Sequence, residues 1–369
     1  MKAFYIEPAD TWFFRDGTPY SIETGSQLDV GGSFPPSPPS VAGALRATLA
    51  TARGWDGSKR WPTEFNDTLG NGPHDLGRLR LQGPFVVQKN ELLLPVPRHL
   101  WHRIEGEPEL GFSRVGSGVA CDLDCGPGAF LPIAVDGAKP LTRKWVRHAA
   151  FEKILEGIAP HRDDLIPEDK LWSEEPRTGI QRNPTTRTAS EGGLYSSRHF
   201  RLQEGTALLM ATTGLPPEWP LPSGAHPFGG ESRLAYWQQW SGDLALKMPV
   251  NRICEDGRFI LIALTPLDLS LQACLGRTPL TDLGGALVKS ACMDRPIRIG
   301  GWDSLSRQPR AMRSYVPPGT VFFCECRDKA ALRSAIDQVG DRIPAVGGGT
   351  EAGFGCVALG TWIESKEPG

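Results

Sequence analysis

Between Arg177 and Arg201 the chain reads RTGIQRNPTTRTASEGGLYSSRHFR, and no helix can run through it. Gly179, Pro184, Gly192 and Gly193 break helical continuity, and Thr178, Thr185, Thr186 and Thr188 favour extended backbone. Five arginines (Arg177, Arg182, Arg187, Arg198 and Arg201) stand there against a single acid, Glu191. Ile180, Leu194, Tyr195 and Phe200 supply apolar feet. The pattern predicts an extended arm or β-hairpin reaching from a globular body. Guanidinium forks and hydroxyls on such an arm suit phosphate oxygens. The alternative is a solvated loop, and the rest of the chain must decide between them.

That basic segment sits in a slightly acidic chain, with 40 Lys and Arg against 42 Asp and Glu. The balance excludes a free-standing polycation and fits a subunit basic on one face and docked to partners on others. At 369 residues two domains are expected. No apolar run approaches the ~20 residues of a membrane span. The opening MKAFYIEPAD reads as a strand rather than a signal segment, so a cytoplasmic location and no membrane partner are expected. Eight cysteines follow that compartment and are expected reduced. The close pairs Cys121/Cys125 and Cys324/Cys326 lack the spacing of a zinc knuckle, so no metal or cofactor is expected.

Lys2 to Glu7 alternates as a first strand that ends its regular pairing at Pro8. After an aromatic run, Trp12-Phe13-Phe14, and the Arg15-Asp16 pair, GGSFPPSPP (31–39) delivers the chain to a helix. Ser40 is the expected N-cap. Val41, Ala44, Leu45, Thr48, Leu49 and Ala52 form its apolar stripe, with Arg46 pointing away from it. Strand, loop and helix open in this way like a βαβ unit. Strands are next expected over Leu79–Gln88 and Leu92–Pro97, hinged at Lys89-Asn90. Lys144–Leu155 reads as an amphipathic helix with Trp145, Ala149 and Phe151 inward, and Thr206–Thr212 as a buried strand. Later come strands at Phe259–Thr265 and Gly319–Cys326 and a helix at Ala330–Val339.

Two glycine-rich loops resemble each other: Gly229 to Trp237 (GGESRLAYW) and Gly347 to Gly355 (GGGTEAGFG). Each joins a glycine pair, a polar bridge and an aromatic to a strand-like segment. Two copies of one α+β unit would produce this repeat. The boundary falls near residue 245, giving domains over 1–245 and 246–369.

In this order the pieces resemble the third subunit of the Cmr complex, a type III-B CRISPR effector component of the RAMP superfamily. The resemblance is carried by IEP (6–8), FFRDGTPY (13–20), SFPPSPPSVAGALR (33–46), TGI (178–180), RTASEGGLY (187–195), FGGESRLA (228–235), VPPGTVFF (316–323) and the closing GGGTEAGFG. It implies an α+β fold of two ferredoxin-like (RRM-like) domains with glycine-rich loops and a protruding β-hairpin thumb, here about 177–201. It implies a non-catalytic subunit that holds the 5′ tag of the crRNA. Such a subunit bridges the large polymerase-like subunit to the backbone subunit and meets target RNA only indirectly. The rival reading is a RAMP-type endoribonuclease maturing precursor crRNA. His199, beside the basic arm, would then be its candidate acid or base.

Single-stranded RNA is held by phosphate contacts plus stacking or edge contacts to splayed bases. Arg187, Thr188 and Ala189 match the family's thumb tip. Arg177, Thr178 and Arg182 follow as RNA candidates, with surface ion pairs as the alternative for the arginines. Ser37, Gly43 and Arg46 open the first helix, where free N–H groups favour an anion. Arg233 either reaches RNA or braces the first glycine loop. Arg15 either pairs Asp16 or meets phosphate. Arg295, Arg298, Arg307, Arg310 and Arg313 form a second basic segment facing RNA or a partner subunit. His99 and His102 would share a face only if their segment were helical.

Overall fold

Phe4 and Ile6 are fully buried on one side of the strand Lys2–Pro8. This strand pairs antiparallel with Thr206–Thr213 on one edge and with Leu234–Trp240 on the other. Its last pair is Pro8 with Ala235, where the missing N–H ends the ladder. The computed structural model describes residues 1–15, 29–58, 60–103, 109–118, 130–133, 135–340 and 342–363. Mixed helix and sheet, with mostly antiparallel pairing, make up the fold.

Two compact units interleave along the chain. The first takes Met1–Lys89, Asp169–Ser241 and Arg298–Ser314; the second takes Asn90–Glu168, Gly242–Ile297 and Tyr315–Gly369. The crossing at Ser241/Gly242 lies near the expected boundary at 245, and the other crossings have no counterpart in the sequence reading.

In the first unit the strands run in the order Arg80–Gln88, Thr206–Thr213, Lys2–Pro8, Leu234–Trp240, Gly224–Pro227, every pair antiparallel. Thr206 to Thr212 is buried at every residue, as its unbroken apolar run requires. Lys2–Pro8 and Arg80–Gln88 both oppose Thr206–Thr213, so they run parallel to each other. The helix Pro38–Ala52 lies in their crossover and packs on Arg80–Gln88. This is the expected βαβ opening with one strand inserted between its arms. The helix starts earlier than expected, because Pro38 and Pro39 preset its first turn and Ser37 rather than Ser40 is the N-cap. Val41, Leu45 and Leu49 form the buried stripe. Arg46 does not point away from the core: it is only 7% exposed.

The second unit holds four strands in the order Leu287–Cys292, Val321–Glu325, Arg258–Ala263, Val357–Thr361, again antiparallel throughout. The helices Val250–Asp256 and Lys329–Asp337 cover one face, where Ile253, Leu332 and Ile336 join Phe259, Leu261, Phe322 and Leu359. Asp328 caps the second helix by accepting from the Ala331 N–H at 2.9 Å. In the second glycine-rich loop, Gly347 takes φ +84° and donates its N–H to Asp282 at 3.0 Å.

One expected helix forms only over its last eight residues. Lys144–Arg147 is a strand paired to Leu93–Pro95 on one side and Leu165–Pro167 on the other, and the helix covers only His148–Leu155. Its inward residues are Ala150, Phe151, Ile154 and Leu155, while Ala149 faces out. The two flanking strands supply hydrogen bonds that override the local helical period. Nor do His99 and His102 share a helical face, because Leu100–Arg103 is a strand. His99 is fully buried, stacked on Phe112, and desolvation pushes its pKa down to about 3. Cys324 and Cys326 are free and buried, and desolvation raises both thiols. Cys121 and Cys125 lie outside the described residues. Among the described residues no helix is long and apolar enough to cross a membrane.

Candidate nucleic-acid interface

The basic segment folds as the greater part of a long hairpin. Trp172–Arg182 pairs antiparallel with Ala189–Leu202, in register from Trp172↔Leu202 to Ile180↔Leu194, with a shift before Arg182↔Ala189. An 11-residue strand at about 3.3 Å per residue spans roughly 35 Å. Gly179 is required within it: a Cβ there would stand 2.3 Å from the Tyr195 ring, which lies across the opposite strand. The connecting turn is built by Asn183, whose Oδ1 accepts from the N–H groups of Thr185 and Thr186 at 2.9 and 3.2 Å. Arg187 takes the left-handed conformation, φ +57°, and closes the turn by donating its N–H to Asn183 O at 2.8 Å.

Aromatic packing anchors the base. Trp12 and Phe200 exchange backbone hydrogen bonds of 3.0 and 2.7 Å. Around Trp12 gather Phe14, Phe34 and Phe228, and Phe34 meets Trp172 edge-on at 4.7 Å. The first glycine-rich loop belongs to this packing: Gly230 N–H donates to Phe13 O at 2.8 Å, and a Cβ on Gly229 would stand 2.8 Å from the same oxygen.

Charges at the base are matched. Asp10 accepts from Arg177 at 2.9 Å and from Arg201 at 3.0 Å, and Arg233 stands 3.6 Å away. Glu175 accepts from the same two arginines, at 2.7 and 2.6 Å. Arg198 pairs with Glu174 at 3.4 Å, and Arg233 with Glu231 at 3.7 Å. Hydrogen bonds, from Arg177 to Asp10 and from Arg201 to Glu175 foremost, hold both carboxyls below their ordinary range. The acids responsible, Asp10, Glu175 and Glu231, carried no functional signal in the sequence. Asp10 lies 167 residues from Arg177, and only the strand pairing brings them together.

His199 is sealed into the same base at 0% exposure. Its Nδ1 meets Thr11 Oγ1 at 3.1 Å, its Nε2 meets Glu231 at 2.9 Å, and its ring stacks on Phe13. Desolvation lowers its pKa, against the pull of Glu231. Both ring nitrogens are used within the fold.

The tip differs. Arg182, Arg187 and Thr188 are exposed, and among the described residues neither arginine has an acidic partner. Thr186 and Thr188 hydroxyls share a hydrogen bond of 2.8 Å. Just below, the cross-strand pair Ile180 and Leu194 is 51% and 48% exposed, an apolar step on an otherwise polar ribbon. Thr178 is exposed beside it. Ala189 begins the second strand; its side chain lies outside the described residues.

The remaining candidates are scattered. Arg46 donates to Gly72 O and Asp75 O, both at 3.0 Å, with its guanidinium 4.9 Å from the Trp61 ring, and burial pushes its pKa down to about 10. It braces the 72–75 loop rather than facing outward. Gly43 is exposed with open space around it, and Ser37 Oγ is 3.0 Å from Ser40 Oγ. Arg15 is exposed and bridges backbone to Gly32; Asp16 lies outside the described residues.

Among solved structures this fold is similar to that of chains in the type III-B Cmr-beta complex. A chain of type III-B Cmr-beta bound to cognate target RNA is 16% identical, with 92% of this chain and 88% of that chain covered at a TM-score of 0.52. A chain of type III-B Cmr-beta bound to cognate target RNA and AMPPnP gives 16%, 92% and 88% at a TM-score of 0.50. Comparison with curated proteins gives no match. The family of the CRISPR-associated protein Cas_Cmr3 matches residues 4–362, and the chain belongs to it. It is thus a component of a type III CRISPR effector.

Proposed function

We propose that this chain is a non-catalytic crRNA-binding subunit of a type III-B effector that holds the crRNA 5′ tag. In this reading it bridges the large polymerase-like subunit to the backbone subunit and works in the cytoplasm. The observation that carries the reading is the split of charge along the hairpin. Arginines at the base are neutralised by Asp10, Glu174, Glu175 and Glu231, whereas Arg182 and Arg187 at the tip have no acidic partner among the described residues. A free guanidinium on a rigid ribbon suits a phosphate, and an exposed apolar step suits an unstacked base. Arg182, Arg187, Thr188 and Ala189 therefore contact the RNA, with Thr178 at the flank. Arg177 and Arg233 hold the hairpin at its angle. Ser37 offers a hydroxyl and Arg15 a guanidinium to a neighbouring phosphate, and Gly43 leaves open space for it. The helix start itself lends no free N–H, because Pro38 and Pro39 have none and the Ser40 and Val41 N–H groups bond Ser37 O.

The strand orders support the domain reading. Numbered along the chain, the four principal strands of each unit lie in the order 2-3-1-4, all antiparallel. That is the order of a ferredoxin-like sheet. We therefore read 1–245 and 246–369 as two such domains, with the hairpin as a thumb on the first. The thumb wedges at the tag–guide junction and fixes the base from which the neighbouring subunit counts.

The test is a binding and cleavage assay with 5′-labelled crRNA over a salt series, using the full chain alone and with its large partner subunit. Uncut, tag-dependent binding that weakens steeply with salt is expected. Metal-independent cleavage lost on His199→Ala would replace this reading with a processing nuclease.

A further inference from the structure

We infer that the hairpin around Trp302 is a second single-stranded RNA contact, separate from the long hairpin. Of the eleven tryptophans in the chain, ten are buried or half-buried, and Trp302 alone stands exposed, at 62%. An exposed indole offers a flat apolar face with a polar edge to a ligand. The surroundings identify what that is.

Trp302-Asp303 pairs antiparallel with Gln308-Pro309, and Arg310 N–H donates to Gly301 O at 2.9 Å, so the indole sits on a closed two-stranded ribbon. Asp303 is the only acid in the segment 298–314, and the turn consumes it. It accepts from the Leu305 and Ser306 N–H groups at 2.9 and 3.4 Å and from the Ser306 hydroxyl at 2.8 Å. Against it stand Arg298, Arg307, Arg310 and Arg313. Arg298 and Arg307 are exposed and have no acidic partner among the described residues. Arg310 meets His74 Nδ1 at 3.3 Å and adds to the Ser306 and Leu305 hydrogen bonds that lower the pKa of nearby Asp303.

Trp302 and the 40%-exposed Met312 share a segment that carries four arginines against one acid, a balance that favours an anionic ligand over an apolar partner. An exposed indole together with unpaired guanidinium groups is the chemistry of base stacking plus phosphate pairing. The segment is sequence-tolerant by the same logic, since every base has a stacking face. This contact rests on the reading that RNA passes over this subunit, but it uses none of the thumb residues.

Titration of a fluorescein-labelled 20-nucleotide oligouridylate with the full chain at low salt tests it. Stacking of one base predicts that Trp302→Ala weakens binding about 5- to 160-fold. Trp302→Phe should keep most of the affinity, and Arg298→Ala with Arg307→Ala should lower the slope of log Kd against log salt by about 1.4. Circular dichroism of each variant should match the parent, because the three side chains are exposed. Wild-type affinity in Trp302→Ala, with loss in Arg182→Ala/Arg187→Ala, would overturn this contact and leave the thumb reading intact. Unchanged RNA affinity with lost effector assembly would overturn it in favour of a protein partner. Absence of binding by the wild-type chain would overturn both readings.

Discussion

The base and the tip of the long hairpin share one ribbon and one composition, but their arginines do opposite work. At the base, Arg177 and Arg201 each contact two carboxylates, and Arg233 leans on the same Asp10. At the tip, Arg182 and Arg187 have no acid within reach among the described residues. A string of arginines is therefore not one binding surface. Arg177, Arg198 and Arg201 fix the ribbon at its base, and Arg182 and Arg187 stay without an acidic partner among the described residues. Sequence treats these arginines alike because the acids that separate them come from a loop after the first strand, from the glycine-rich loop and from the hairpin's own base at Glu174 and Glu175.

The largest effect should come from the base. His199→Ala removes a buried ring that bonds Thr11 and Glu231 and stacks on Phe13, so it should lower stability by about 2–3 kcal/mol in urea unfolding. Its effect on RNA should follow stability alone. If the variant instead kept full stability, the base would not be the anchor described here.

Next comes the tip. Arg182→Ala with Arg187→Ala should weaken single-stranded RNA binding about tenfold and lower the salt slope by about 1.4, while the melting temperature stays within a degree or so of the parent. A fall in melting temperature with unchanged affinity would invert the comparison.

Smaller still is Asp10→Asn. It loosens three exposed or half-exposed arginines and should cost about 1 kcal/mol, since solvent screens such pairs. The pH dependence has a defined sign. Asp10 and Glu175 have folded pKa values below their ordinary 3.8 and 4.5, so their contribution is complete above those values. It is lost as pH falls through the lower folded values, and the Asp10→Asn variant should show a shallower acid limb below about pH 3.8. At the bottom of the scale, Arg198→Ala loosens a 3.4 Å pair with Glu174 and should change stability by less than about 0.5 kcal/mol.

Much of the framework was legible because it rests on local pattern. Lys2–Pro8, Thr206–Thr213, the hinge at Lys89-Asn90 and the helix over 329–337 all follow from alternation, apolar runs or a capping residue. The hairpin follows from the helix breakers and threonines of 177–201, while the position of its turn at Asn183 is not among the expectations. What failed depended on distant partners. Lys144–Arg147 carries a helical period and becomes a strand because Leu93–Pro95 and Leu165–Pro167 flank it. Arg46 sits at a polar position of its helix and is buried because the 72–75 loop presents two carbonyls to it. Within the candidate site the arginines were readable, but their division into structural and available sets was not. That division needs the register of the hairpin and the position of Asp10, neither of which leaves a mark in local sequence.

Placing a photocrosslinking amino acid at position 187 or at position 177 in the assembled effector would test the central claim most directly. Carried on crRNA with a radiolabelled 5′ tag, the account predicts a strong crosslink to the tag from position 187 and none above background from position 177. Equal crosslinking from both positions, or from 177 alone, would contradict the division between base and tip.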